Sequence, residues 1–234
     1  MKKLAILALM LLATVAGAKK PSVRIHLVGD SFCSEYGPES RPQTGWGEML
    51  GPALGGAKVF NYAIGGQSTK SFIDEGRWDA AIARVKPGDL LLMQFGGNDQ
   101  KVNSPSRYVE AYGGFYDNLN RFIEETRAKG GVPVLVTSPS RRYFHSNGSP
   151  RRTLEDYPDA MRKLAADTNT PLVDAEEMTH EWLAKLGDEA SKPYFMVSVN
   201  GTDNTHFTRE GAEVVAGMIA KSLIEQGLWQ KPEH

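Results

Sequence analysis

The sequence has one cysteine, Cys33, and five histidines among its 234 residues. A single cysteine cannot form a disulfide within the chain, so the fold must be stabilised by its apolar core. The histidines are scattered, and no His-Glu-x-x-His or similar spacing occurs, which argues against a metal-dependent enzyme. The Gly-x-Ser-x-Gly elbow is also absent, which separates the chain from the classical α/β-hydrolases. Cys33 is interpreted as a small buried residue.

Neither sign of charge is in excess. There are 27 basic and 28 acidic residues, a formal net charge of −1. This balance gives no electrostatic footprint for nucleic acid or for an anionic membrane. The chain also lacks repeats and low-complexity tracts, and 41% of its residues are hydrophobic. Its length suits one α/β domain with a sizeable core, predicted over residues 19–234.

The N-terminus differs from the rest of the chain. Two lysines precede an apolar run over residues 4–15, and residues 16–18 (Ala-Gly-Ala) have the form of a signal-peptidase site. These three parts predict a secretory signal peptide over residues 1–18. The apolar run is too short to span a bilayer comfortably. Cleavage would leave 25 basic and 28 acidic residues, 25 − 28 = −3, in an exported protein, periplasmic or extracellular, with no membrane attachment.

Strand-like and helix-like segments alternate along the remaining chain. The segment 89–95 is almost continuously apolar, as in a central strand buried on both faces. This alternation predicts a five-stranded parallel sheet between two layers of helices, an α/β/α sandwich. Ser68 is predicted to cap a short helix, and residues 138–150 are predicted to form a loop. The predicted strands are 23–28, 57–62, 89–95, 132–137 and 171–174, and the longer helices 46–54, 78–85, 106–129, 154–168, 175–186 and 208–226.

Small and polar residues follow several of these strands. Ser31 comes just after the first strand, Gly66 after the second and Asn98 after the third. In open α/β sheets, ligands bind in the crevice beyond the carboxyl ends of the strands. Taken alone, Ser31 is more simply a helix cap, Gly66 part of a tight turn and Asn98 a cap. Together they are the residue types that nucleophilic catalysis needs, namely a nucleophile and hydrogen-bond donors for an oxyanion.

Asp203 and His206 supply the missing functions. With Ser31 as nucleophile, His206 would accept its proton, and Asp203, three residues earlier, could reach the other nitrogen of the imidazole. The oxyanion donors would be the N–H groups of Ser31 and Gly66 and the side-chain amide of Asn98. An Asp-x-x-His pair alone is common in surface turns. Because all of these residues occur in this order, each beside a predicted strand, we hypothesise that they form a catalytic site.

At these residues the chain resembles the SGNH/GDSL hydrolases, whose blocks contribute Ser, Gly, Asn and His. The resemblance covers the whole mature chain and implies a flavodoxin-like fold, serine esterase chemistry and no cofactor. Residues 94–101 (Gln-Phe-Gly-Gly-Asn-Asp-Gln-Lys) and 203–207 (Asp-Asn-Thr-His-Phe) look like those of rhamnogalacturonan acetylesterases. Those enzymes often carry His where this chain has Gly97, so residue 97 is expected to influence substrate preference.

A loop after the fourth strand would lie on the ligand side of the sheet. Arg141 and Arg142 could pair there with uronate carboxylates, and Tyr143 could pack on a sugar face. A solvated basic loop is an equal alternative for each of these residues. Gly97, Arg141, Arg142 and Tyr143 are therefore the candidate substrate-binding residues.

The sequence thus predicts an exported, monomeric esterase that removes acetyl groups from a pectic polysaccharide, rhamnogalacturonan first, through an acetyl-serine intermediate. One alternative is an esterase acting on acetylated xylan or another acetylated glycan. The other is a carbohydrate-binding relative without activity, against which the presence of Ser31, Asn98, Asp203 and His206 counts.

Overall fold

The computed structural model describes residues 23–230, so the predicted signal peptide over 1–18 lies outside the described residues. Its centre is a sheet of five parallel strands in the order β2-β1-β3-β4-β5. This is the flavodoxin-like order, in which the chain reverses its direction of winding between β1 and β3. The strands are β1 (Ile25–Gly29), β2 (Val59–Asn61), β3 (Leu90–Gln94), β4 (Val132–Val136) and β5 (Leu172–Val173).

Helices connect the strands and cover both faces of the sheet. Ser68 caps α2 as predicted, since its hydroxyl accepts a hydrogen bond from the N–H of Ser71 at 3.1 Å. The helices are α1 (Trp46–Ala53), α2 (Thr69–Asp74), α3 (Arg77–Ile82), α4 (Tyr116–Ala128), α5 (Tyr157–Thr168), α6 (Ala175–Ser191), α7 (Val197–Asn200) and α8 (Arg209–Glu225).

Alternation along the strands produces two separate apolar cores. In β3, Leu90 and Leu92 face one core and Leu91 and Met93 face the other, because successive side chains point to opposite faces. The first core is closed by α1, α6 and α8, and the second by α2, α3, α4 and α5. The predicted α/β/α sandwich around a five-stranded parallel sheet is therefore confirmed. Cys33 is buried in the first core, as expected.

The helix predicted over 106–129 is too long at its N-terminal end. Residues 101–110 form turns and irregular backbone, a short π-helical segment covers Ala111–Phe115, and α4 begins only at Tyr116. The φ and ψ of Gly113, both −114°, are not helical. Glycine at 113 and 114 permits this break because it has no Cβ to restrict the backbone. Within residues 23–230, none of the helices has the length and apolar character needed to cross a membrane.

Candidate active site

The carboxyl ends of β1 and β3 meet at the point where the winding of the sheet reverses. Ser31 lies two residues beyond the end of β1, and Gly97 and Asn98 follow β3. Ligands bind at this position in doubly wound sheets. The cavity that opens there has a volume of about 500 Å³, within the usual range of about 300–1,000 Å³ for small-molecule sites.

Ser31, His206 and Asp203 form a hydrogen-bonded chain at this cavity. The Oγ of Ser31 lies 3.0 Å from Nε2 of His206, and Nδ1 of His206 lies 2.8 Å from Oδ2 of Asp203. Both distances lie within hydrogen-bonding range. The structure therefore brings together three residues that span 175 positions of sequence, in the geometry of a nucleophile, a base and an orienting acid.

Hydrogen bonds from backbone N–H groups to the Asp203 side chain fix the turn that carries it. Oδ1 of Asp203 accepts hydrogen bonds from the N–H groups of Thr205 at 2.9 Å and His206 at 3.0 Å. Burial on its own would raise the pKa of Asp203. These two bonds and the one from the His206 ring outweigh it, so the pKa of Asp203 is lowered. The carboxylate stays ionised and can hold the imidazole with Nδ1 protonated.

The three predicted oxyanion donors lie on neighbouring segments, although Gly66 itself is not among the residues that line the cavity. An ideal Cβ on Gly65 would lie 3.7 Å from Cβ of Ser31, so the loop containing Gly66 passes close to the serine. Asn98 lines the cavity and donates from Nδ2 to the carbonyl of Gln67 at 3.0 Å, which joins it to the same loop. The N–H groups of Ser31 and Gly66 have no acceptor within residues 23–230. They are available to a ligand.

Glycine at 66 is favoured by its backbone conformation and not by crowding within the chain. A Cβ there would meet only Nη1 of Arg107, at 3.8 Å, an ordinary contact. The backbone of Gly66 has φ +84°, a conformation that L side chains rarely adopt. The requirement therefore comes from the turn that exposes the N–H.

Asp30, next to the candidate nucleophile, is completely buried. Its Oδ1 accepts hydrogen bonds from the N–H of Phe32 at 3.0 Å and from Nε2 of Gln94 at 3.2 Å. Burial raises its pKa, and these hydrogen bonds oppose the rise only in part. Asp30 therefore fixes the turn after β1, next to Ser31. The carboxylate that bonds the imidazole directly is that of Asp203.

The candidate substrate residues divide into two groups. Gly97, Arg141 and Tyr143 line the cavity. Nη2 of Arg141 donates to the carbonyl of Gly97 at 3.1 Å and Nη1 to that of Thr153 at 3.2 Å. Burial lowers the pKa of Arg141, and the nearby carboxylate of Asp30 opposes this shift.

Arg142 does not line this cavity, which corrects the prediction that it binds substrate. Its side chain is buried, with Nε donating to Oγ of Ser191 at 3.0 Å and Nη1 to Oδ1 of Asn204 at 2.6 Å. Nη2 donates to the backbone carbonyl of Asp188 at 2.6 Å. Arg142 thus joins the end of α6 to the turn that carries Asp203. Adjacent residues of this loop point in opposite directions, which a run of two arginines does not reveal.

Sequence reasoning missed several residues that line the cavity, among them Lys101, Arg151, Thr153 and Thr205. The loop after β4 folds back on itself, since Phe144 pairs with Pro150 and the N–H of Arg151 donates to the carbonyl of Tyr143 at 2.7 Å. This pairing brings Arg151 beside Tyr143. For Lys101, the spacing of three residues from Asn98 was a signal, because such a spacing closes one turn.

A doubly wound sheet that presents a Ser-His-Asp chain beside free backbone donors has the arrangement used by serine ester hydrolases. The chain belongs to the GDSL-like Lipase/Acylhydrolase family, whose sequence profile matches residues 27–214. It is a carboxylic ester hydrolase, as predicted from its similarity to the SGNH/GDSL enzymes.

Relatives of known sequence and structure agree with this assignment. The chain is 40% identical over 205 residues to the probable rhamnogalacturonan acetylesterase YesY of Bacillus subtilis, covering 87% of this chain and 94% of that protein. It is 40% identical over 220 residues to the rhamnogalacturonan acetylesterase RhgT of the same organism, covering 90% and 93%. The acetylxylan esterase Axe2 of Geobacillus stearothermophilus, 18% identical, shares the fold with a TM-score of 0.64 over 90% of this chain and 96% of that one.

Proposed function

We propose that this protein removes O-acetyl groups from a uronate-containing pectic polysaccharide, with rhamnogalacturonan as the preferred substrate. The observation that carries the proposal is the cavity itself. Ser31 and His206 lie in its wall together with three cationic side chains, Lys101, Arg141 and Arg151. Guanidinium and ammonium groups pair with carboxylates, and galacturonate residues carry one carboxylate each. The names of the two 40% identical relatives support the same substrate.

In the first half of the reaction, Oγ of Ser31 attacks the acetyl carbonyl carbon while Nε2 of His206 takes the hydroxyl proton. Asp203 holds Nδ1–H and stabilises the imidazolium that forms. The tetrahedral intermediate then collapses. The bond between the carbonyl carbon and the sugar oxygen breaks, and the proton on Nε2 passes to that oxygen. The products are the free sugar hydroxyl and acetyl-Ser31.

In the second half, water enters the cavity and loses a proton to Nε2 of His206 as its oxygen attacks acetyl-Ser31. Collapse of this second tetrahedral intermediate breaks the bond to Oγ, which regains its proton from the imidazolium. Acetate leaves, and the enzyme returns to its starting state. Both intermediates place their oxyanion at the N–H groups of Ser31 and Gly66 and the amide of Asn98. Removing one such donor typically costs about 2.7–4 kcal/mol of transition-state stabilisation.

Replacement of Ser31 tests the nucleophile. With an aryl acetate as substrate, Ser31→Ala is expected to lower kcat by at least about a thousandfold, with an unchanged circular dichroism spectrum. Ser222→Ala, on α8 and outside the residues lining the cavity, is the matched control and should keep the wild-type rate. Mass spectrometry of quenched wild-type enzyme should detect one added acetyl group on Ser31. Persistent hydrolysis by the folded Ser31→Ala variant would show that another group attacks.

Comparison of polysaccharides tests the substrate. Acetate release is expected to be faster from acetylated rhamnogalacturonan than from acetylated xylan, because an unsubstituted xylan backbone has no carboxylate for Arg141 and Arg151 to bind. Substitution of either arginine by glutamine should reduce this preference by raising KM for rhamnogalacturonan alone. Faster release from xylan by the wild-type enzyme would favour the acetylxylan alternative.

We also propose that the enzyme is exported and acts as a monomer. The basic, apolar and small-residue parts of residues 1–18 support export. N-terminal sequencing of the protein recovered outside the cytoplasm should begin after Ala18. Size-exclusion chromatography with light scattering should give the mass of one chain.

A further inference from the structure

The amide of Asn98 is held on both sides by polar partners. Asn98 is 4% exposed, and its Nδ2 donates one hydrogen to the carbonyl of Gln67 at 3.0 Å. Its Oδ1 accepts a hydrogen bond from Nζ of Lys101 at 2.8 Å. A primary amide has two N–H donors. The second N–H of Asn98 is therefore the one available to an oxyanion in the cavity.

Lys101 reaches this oxygen through a short turn. Its backbone N–H donates to the carbonyl of Asn98 at 3.2 Å, so the two side chains leave the same turn of the loop after β3. The ammonium group also lines the cavity that contains Ser31. A cation on a carbonyl oxygen withdraws electron density from the amide nitrogen. Charge-assisted hydrogen bonds and polarised chains of hydrogen bonds strengthen the donor at the far end.

We propose that Lys101 is a positioning residue of the oxyanion hole: its ammonium fixes the amide of Asn98 and makes the N–H that receives the oxyanion a stronger donor. The inference rests on the proposed function, because it assigns Asn98 the oxyanion role. It adds a function that the cationic character of the cavity alone does not require. A lysine that only attracts a substrate carboxylate would need no bond to Oδ1 of Asn98.

The charged groups around Lys101 affect the pH range in which its side chain is protonated. Burial lowers the pKa of Lys101 below its ordinary value of 10.5, and the nearby Arg107 and Arg141 lower it further. The carboxylate of Asp30 opposes them. The positive charge is therefore lost at a lower pH than in an ordinary lysine. The rate should fall on the alkaline side as Lys101 loses its proton.

A neutral aryl acetate separates the two functions, because it offers no carboxylate to bind. With this ester, Lys101→Met is expected to lower kcat about tenfold and to leave KM within about twofold. Lys101→Arg keeps a cation within reach of Oδ1 and should restore a large part of kcat. The alkaline fall in kcat should disappear in Lys101→Met and move to higher pH in Lys101→Arg.

Arg107→Gln is the matched control for loss of one nearby positive charge. Arg107 lies close to the same loop, and its Nε donates to Oγ of Ser104 at 2.9 Å rather than to Asn98. This variant should keep kcat within about twofold. An equal loss of kcat in Arg107→Gln would show that the general positive field matters, and would overturn the proposal. A rise in KM for the neutral ester without a change in kcat would also overturn it.

A second measurement does not depend on turnover. The side-chain amide ¹⁵N and ¹H resonances of Asn98 should shift in Lys101→Met, and in the wild type should titrate with Lys101. At a pH where Lys101 is protonated in both proteins, Arg107→Gln should leave them in place. Resonances that do not respond to Lys101→Met would contradict the inference even in an active enzyme. If the wild-type protein hydrolyses no acetate ester, the proposed function and the oxyanion role fall together. In that case the resonances alone report whether Lys101 polarises the amide.

Discussion

At the scale of single residues, Gly97 determines the space between Asp30 and Arg141. A Cβ at position 97 would lie 3.1 Å from Oδ2 of Asp30 and 3.5 Å from Nη2 of Arg141. The first distance is shorter than most contacts of a Cβ atom, so the carboxyl of Asp30 must move. The absence of a side chain at this position allows the guanidinium of Arg141 to lie against the backbone, where it donates to the carbonyl of Gly97.

Gly97→Ala is therefore expected to displace the carboxyl of Asp30. Because this charge acts on the guanidinium of Arg141, the position of Arg141 should shift as well. The free energy of unfolding should fall by about 1 kcal/mol, and KM for acetylated uronate oligosaccharides should rise several-fold, while KM for an aryl acetate changes little. Steady-state kinetics on both substrates and urea denaturation measure these effects. Gly217→Ala, on α8 with no atom within 4 Å of the new Cβ, is the control. Equal changes in KM for the two substrates would show that Gly97 has no part in carboxylate recognition.

Asp99 is a buried carboxylic acid that joins the start of α2 to the loop after β3. One oxygen accepts from the N–H and Oγ1–H of Thr69 at 2.8 and 2.6 Å, and the other accepts from the N–H of Gly96 at 3.0 Å. Burial raises its pKa to about 7, although these hydrogen bonds act in the opposite direction. The first turn of α2 and the loop after β3 are held together by a group that titrates near neutral pH.

The raised pKa of Asp99 predicts a specific dependence of stability on pH. Between 3.8 and about 7 the folded state binds this proton more tightly than the unfolded chain. The stability that the proton contributes is complete below 3.8 and is lost as the pH rises through 7. The decrease in the free energy of unfolding should be on the order of a few kcal/mol. Urea denaturation at pH 5 and pH 8 should show a smaller decrease in Asp99→Asn than in the wild type or the exposed control Asp79→Asn. Parallel pH profiles would contradict the assignment.

At the scale of elements, Arg142 connects α6 to the turn that precedes α8. Arg142→Met keeps much of the apolar stem and removes the hydrogen bonds to Ser191 and Asn204. The free energy of unfolding is expected to fall by about 2 kcal/mol. Because the same turn carries Asp203, kcat should fall several-fold while KM stays near the wild-type value.

The control for this change is Arg209→Met, which removes an exposed arginine paired with Glu213. Surface pairs of this kind contribute about 0–1 kcal/mol, so its effect should be small. Denaturation and steady-state kinetics on acetylated oligosaccharides measure both variants. A rise in KM with unchanged kcat in Arg142→Met would restore the substrate-binding role that the sequence suggested.

The strands were predictable because each carries a local pattern. The apolar run before Gly96 gave β3 to within a residue at each end, and Pro87 and Gly88 marked its start. The start of α4 was not predictable, since the apolar spacing continues through residues that Gly113 and Gly114 remove from the helix. The direction in which the Arg142 side chain points was not predictable either, because its partners Ser191 and Asn204 are 49 and 62 positions away in the sequence.

At the scale of the whole molecule, residues from distant parts of the chain meet at one site. The triad was predictable because the polar residues follow strands, and parallel strands end at the same edge of a sheet. The contact between Ser31 and His206, 175 positions apart, then follows from topology. The cation at Oδ1 of Asn98 was not predictable in this way. It depends on which way one loop side chain turns, and sequence spacing alone leaves that open.

The sheet also divides the molecule into two cores that should respond independently to mutation. Ile219 on α8 and Ile123 on α4 are both completely buried, on opposite faces of the sheet. Truncation of each to valine should cost about 0.5–1.5 kcal/mol. In the double variant the two costs should add to within about 0.3–0.5 kcal/mol, because distant sites share no packing partners.

The matched comparison places both changes in one core. Leu223 lies one turn from Ile219 on α8 and belongs to the same cluster. Residues four apart on a helix are neighbours, so Ile219→Val and Leu223→Ala should deviate from additivity by more than the cross-sheet pair. Urea denaturation of the three single and two double variants measures both couplings. A cross-sheet coupling as large as the coupling within α8 would mean that the sheet transmits packing changes between its faces.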